Sequence, residues 1–111
     1  MEGPSYFFDL DSLPMQYIAP GFNCKLIHTG TNTVNVITVT AGSTVELHQH
    51  PHLQLSLVLA GSFNMTVGEQ TQILHSGQYC LIPGGIYHGG TAITDCKLID
   101  LFSPERKDYK L

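Results

Sequence analysis

The chain has 111 residues, 42% of them apolar and 13% charged, and a formal net charge of −4. That length makes one domain, able to bury a core without disulfide staples. The charge, with three of the five Lys/Arg gathered at Arg106, Lys107 and Lys110, excludes a nucleic-acid footprint, and no apolar run approaches the ~20 residues of a membrane span.

The opening "MEGPSYFFDLDSLP" is acidic and lacks the basic and apolar regions of a secretory signal. With three cysteines (Cys24, Cys80, Cys96) and no CxxC spacing, it fits a reduced, cytoplasmic protein whose thiols are small buried side chains. Residues 1–20, with Pro4 and Pro14 ahead of "APG", read as an irregular or briefly helical lead-in, and residues 21–111 as the domain itself. Strands are predicted over Phe22–His28, Thr33–Thr40, Thr44–His48, Leu53–Ala60, Phe63–Val67, Thr71–Leu74, Gln78–Ile82 and Thr94–Ser103, separated by "TGTN", "AG", "QHP", "GS", "GEQ", "HSG" and "PGG". No stretch keeps a helical apolar period. Many short strands at close spacing predict an all-β sandwich or barrel.

Side chains alternate between the two faces of a strand. In "LQLSLVLA" that puts Leu53, Leu55, Leu57 and Leu59 on one face and Gln54, Ser56, Val58 and Ala60 on the other. A face carrying Gln and Ser makes a poor core but a reasonable pocket floor. In "CKLIDLF", Cys96, Leu98, Asp100 and Phe102 share a face. An Asp in an apolar strand is costly unless it is paired or solvated by a pocket, which makes Asp100 the most informative acid of the chain.

The stretch "HQHPHLQ" holds three of the six histidines. With its flanks it reads Gly42-x5-His48-x-His50-x3-Gln54-x6-Gly61, and a later stretch reads Gly77-x5-Pro83-x-Gly85-x2-His88. These patterns, with fifteen residues between them, resemble the paired motifs of the cupin superfamily. The resemblance implies a cupin jelly-roll β-barrel (a double-stranded β-helix) that holds one divalent transition metal through His48, His50, Gln54 and His88. The donor chemistry agrees: neutral imidazoles plus an amide oxygen suit Zn, Ni, Fe or Mn. The superfamily's usual Glu is replaced here by Gln54. A neutral amide leaves more of the ion's charge uncompensated, which favours Lewis-acid work on an anionic ligand over the oxygen chemistry of a 2-His-1-carboxylate face.

"HPHLQ" together with the tail "LIDLFSPERKDY" is also similar to the KdgF-type cupins of pectin and alginate breakdown, a likeness running from about residue 20 to the end. It implies ring opening of a 4,5-unsaturated monouronate, a small anionic sugar acid, to linear 5-keto-4-deoxyuronate. By the same likeness Asp100 acts as general acid/base, Arg106 grips the carboxylate and Phe102 packs the sugar face. A metal-dependent dioxygenase and a non-enzymatic sugar- or metabolite-binding cupin are the alternatives, since one fold hosts many functions. A homodimer pairing through the Leu53/Leu55/Leu57/Leu59 face is expected, and His52 is expected to support the site rather than to ligate.

Overall fold

Period-two burial runs through the strands that carry the core. The computed structural model describes residues 3–109. Strands β2 (Phe22–His28) and β3 (Thr33–Val39) alternate buried and half-buried positions, and β10 (Cys96–Ser103) buries every second side chain. The other strands among the described residues are β1 (Gln16–Ala19), β4 (Thr44–His48), β5 (Leu53–Ala60), β6 (Phe63–Val67), β7 (Gln70–Leu74), β8 (Tyr79–Ile82) and β9 (His88–Ala92). They form two antiparallel sheets, one in the order β1-β2-β3-β10-β5-β8 and the other β4-β9-β6-β7. This is the all-β, two-sheet jelly roll that the cupin resemblance implied.

The inner faces meet over an apolar cluster that includes Ile37, Val58, Met65 and Leu98. Phe22 of one sheet meets Phe63 of the other edge-on, with ring centroids 6.3 Å apart. An aromatic pair of this kind adds about 0.5–1.5 kcal/mol to what burial alone contributes.

Cross-strand register then grades the interior from apolar to polar. Leu98 of β10 lies between Ile37 and Val58, the next inward residue Asp100 lies between Asn35 and Ser56, and Phe102 lies between Thr33 and Gln54. Each of these side chains is buried. One end of the barrel is therefore a hydrocarbon core and the other a polar chamber, built from the same three strands.

Two strands depart from the predicted set. β1 falls in the lead-in, where "QYIA" sits between prolines and shows no clear alternation. It is a strand because it pairs with β2, Gln16 opposite Cys24 and Tyr17 opposite Asn23. The rest of the lead-in holds one 3₁₀ turn at Leu10–Ser12, capped by the Asp9 side chain. β9, "HGGTA", reads locally as a turn because glycine disfavours strands. It is held between β4 and β6, and its glycines answer to close approach. A Cβ on Gly90 would run into the Phe63 ring and the Asn64 carbonyl, and one on Gly89 into the backbone of Val45 and Glu46. Of the cysteines, Cys24 and Cys96 are buried and Cys80 is partly so, all as free thiols.

Candidate metal centre

β4 ends at His48 and β9 begins at His88, and the two residues are paired in register. The ladder slips between Val45 and His48, an irregularity of the kind that re-aims a side chain at a strand end. His50 lies beyond the end of β4, so the pairing of His48 and His50 does not depend on a continuous strand, and Gln54 is the second residue of β5. The ring centroids of His48 and His88 are 4.3 Å apart, and those of His50 and His88 4.8 Å. One nitrogen from each of the three rings falls within 4.8 Å of the others.

The backbone sets which nitrogen faces inward. His48 Nδ1 donates to the Glu46 carbonyl at 2.8 Å, His88 Nδ1 to Ile86 at 2.9 Å and His50 Nδ1 to His52 at 3.1 Å. A carbonyl only accepts, so an Nδ1 that makes this bond carries a hydrogen, and in a neutral ring Nε2 then keeps its lone pair. Burial pushes the pKa of His50 and of His88 below the usual imidazole value, His50 against the opposing pull of Gln54. Both rings are thereby kept neutral, the form that binds metal.

Two observations show that this donor set suits a cation. His88 Nε2 is buried with no hydrogen-bond partner, a costly state for a polar atom unless something else fills the position. His50 Nε2 also lies 2.9 Å from Gln54 Oε1, which brings the amide oxygen beside the three rings. His48, His50, His88 and Gln54 would therefore hold a divalent transition ion. His52 contributes its carbonyl to His50, and its ring stands edge-on to the His50 ring.

A hydrogen-bond chain runs inward from Gln54. Its Nε2 donates to Ser56 Oγ at 2.9 Å, and Ser56 Oγ donates to Asp100 Oδ1 at 2.7 Å. The serine has one proton and gives it to the carboxylate, so it must accept from the amide. That accounting turns the Gln54 oxygen toward the histidines. Burial raises the Asp100 pKa from 3.8 to about 6, against the bonds from Ser56 and Gln54 and the charge of Arg106. A cavity of about 1190 Å³ is lined by His48, Gln54, Ser56, His88, Asp100 and Phe102.

Arg106 is placed differently from the open carboxylate clamp that the tail likeness implies. Its Nε and Nη2 donate to both oxygens of Asp108, at 2.9 and 2.6 Å, and its guanidinium lies over the rings of Phe102 and Tyr109, 4.8 and 3.9 Å from their centroids. Nη1 is buried and has no partner. Phe102 in turn stands edge-on to His50 at 5.6 Å. His50 and Arg106 line a neighbouring cavity of about 740 Å³ with His52 and Lys107.

Strand parity predicts Ser56 on the pocket floor, but its bridging role emerges only from the register of β5 against β10. Asp108 and Tyr109 end the "LIDLFSPERKDY" likeness without a role implied by it, and the 3₁₀ turn at Lys107–Tyr109 brings both to the large cavity. One consequence is testable. Ser56→Ala leaves the Gln54 amide free to turn its nitrogen toward the histidines, and affinity for zinc should fall by about 10-fold or more, as measured by competition with a chromophoric chelator. Unchanged affinity would mean that Gln54 is oriented without Ser56.

Comparison with known proteins agrees with this geometry. Residues 35–102 match the Cupin domain family. The pectin degradation protein KdgF of Dickeya dadantii (strain 3937) is 30% identical over 107 residues, spanning 94% of this chain and 96% of that protein. The solved structure of KdgF from Halomonas sp. has a TM-score of 0.86 at 31% identity and covers 94% of this chain and 99% of its own. An RmlC-like cupin from Shewanella frigidimarina NCIMB 400 has a TM-score of 0.88 at 26% identity, covering 99% of this chain and 100% of its own.

Proposed function

The chain belongs to the cupin family, and from that premise we propose that it is a metal-dependent enzyme that opens 4,5-unsaturated monouronates, released from pectin or alginate, to linear 5-keto-4-deoxyuronate. The observation that carries this reading is the buried chain Gln54–Ser56–Asp100. It joins a proposed metal ligand to a carboxyl whose pKa of about 6 suits proton transfer near neutrality.

The reaction is an isomerisation and needs no oxidant. Asp100 takes the proton of the C1 hydroxyl, the bond from C1 to the ring oxygen breaks, and C1 becomes an aldehyde. The electron pair is left on the former ring oxygen at C5 as an enolate. Asp100 returns the proton to C4, which completes the 5-keto product. Ser56 donates to Oδ1 of Asp100, and Phe102 forms an apolar wall of the same cavity. His48, His50, Gln54 and His88 would hold a divalent ion, which would supply Lewis acidity for an anionic substrate. Arg106 adds positive charge behind Phe102. The three free thiols support a place in the reducing cytoplasm.

The test follows loss of the conjugated alkene's ultraviolet absorbance with freshly made 4,5-unsaturated galacturonate. Because the sugar also opens unaided, the expected result is a rate above buffer that collapses when the protein is stripped by chelator and returns with metal. A rate equal to buffer, from protein holding one metal per chain, would sink the uronate reading.

A further inference from the structure

We propose that Asp108 is a built-in competitor of the substrate: its carboxylate fills the accessible fork of Arg106, and a ligand's carboxylate reaches that guanidinium by displacing it. The proposal rests on the reading above in taking the ligand to be an anionic sugar acid. A guanidinium has edges that can grip a carboxylate through two parallel bonds. On Arg106 the edge formed by Nε and Nη2 is taken by the two oxygens of Asp108, at 2.9 and 2.6 Å. The other edge includes Nη1, which is buried. An incoming carboxylate therefore meets the edge that Asp108 holds.

The two partners differ in what keeps them in place. The Arg106 side chain is 7% exposed and that of Asp108 57%. Arg106 is fixed without Asp108, because its backbone N–H donates to Thr33 Oγ1 at 2.9 Å and its guanidinium packs on the rings of Tyr109 and Phe102. Asp108 belongs to the three-residue 3₁₀ turn Lys107–Tyr109, none of whose residues is buried. Its carboxylate can leave by a side-chain rotation that keeps the bond from Tyr109 N to the Arg106 carbonyl. Arg106 holds the Asp108 carboxyl below the usual range, so the competitor is charged wherever a uronate is.

Position gives the exchange a purpose. Asp108 lines both the cavity of about 1190 Å³ that holds Asp100 and the neighbouring one of about 740 Å³, so an anion in either one meets it. An ion pair with one partner more than half in water contributes little, so replacing one carboxylate by another is nearly even in energy. A tethered carboxylate nevertheless acts at an effective concentration of about millimolar or more. A small acid with no further contacts does not outcompete it. A sugar acid that also gains contacts in the polar chamber does, which makes the Asp108 contact a selectivity filter.

Calorimetric titration of the metal-loaded full chain with D-galacturonate tests this, since that saturated uronate has no alkene to consume. Asp108→Asn keeps the side chain's size and removes its charge. The variant should bind galacturonate about 5-fold more tightly than the wild type, and neutral D-galactose no more tightly. In an Arg106→Gln background the same substitution should change nothing, because the competition acts through the guanidinium. Asp108 is exposed, so circular dichroism and metal content should match the wild type. Unchanged or weaker galacturonate binding overturns the proposal, weaker binding being the mark of a residue that positions Arg106. A gain shared by galactose, a gain that survives in Arg106→Gln, or no binding by either protein overturns it as well. The alkene assay separates the two readings. Tighter galacturonate binding by the variant, with a wild type that opens no ring, sinks the ring-opening reading and leaves the competitor. Unchanged affinity beside a wild-type rate above buffer does the reverse.

Discussion

Asp100→Asn is expected to cut the catalysed rate by about 10²–10³-fold while making the metal-free protein more stable at neutral pH. The two effects have one cause. The carboxyl is buried in the polar chamber, and burial raises its pKa from 3.8 to about 6. Between about pH 4 and about pH 6 the unfolded chain ionises this group while the folded chain keeps it protonated. Stability is therefore lost as pH rises through that window, and the loss is complete above it. A shift of this size corresponds to about 2–3 kcal/mol at pH 7. Asparagine keeps the oxygen that accepts from Ser56 and carries no charge to desolvate, but it transfers no proton.

Thermal melts of chelated protein at pH 4 and pH 7 check the stability half. The comparison must be between variant and wild type at each pH. His50 and His88, whose pKa values are lowered by burial, lose stability in the opposite direction, as pH falls through the imidazole range. The variant should gain at pH 7 and not at pH 4. A variant less stable at both would show Asp100 to be a structural acid.

His88→Ala should abolish both metal binding and catalysis. His88 offers a buried nitrogen whose hydrogen-bonding capacity no side chain meets, and its ring stands closest to that of His48. Elemental analysis after gel filtration should fall from about one metal per chain to a small fraction, with the alkene consumed at the buffer rate. A binding readout separates this from general damage. A thousandfold excess of metal over its Kd stabilises a folded chain by about 4 kcal/mol, so zinc should raise the wild-type melting temperature and leave that of His88→Ala unmoved. A full metal complement in the variant would place the ion elsewhere.

The sequence by itself determined the class of fold and the polar floor of the pocket. Those features are written in local spacing: the two-residue period of a strand puts Asp100 and Phe102 on one face and Gln54 and Ser56 on another, and turn residues mark where strands stop. The motif likeness supplied the ligand candidates, His48, His50 and Gln54 from one stretch and His88 from a distant one. Only the tertiary structure decided that "HGGTA" is a strand, that Ser56 meets Asp100 across 44 positions, and that Asp108 already occupies two of the Arg106 nitrogens. Pairing partners depend on register, which the whole sheet settles through the burial of its faces. A glycine-rich strand or a folded-back tail has no period of its own, and its conformation follows from the neighbours it packs against.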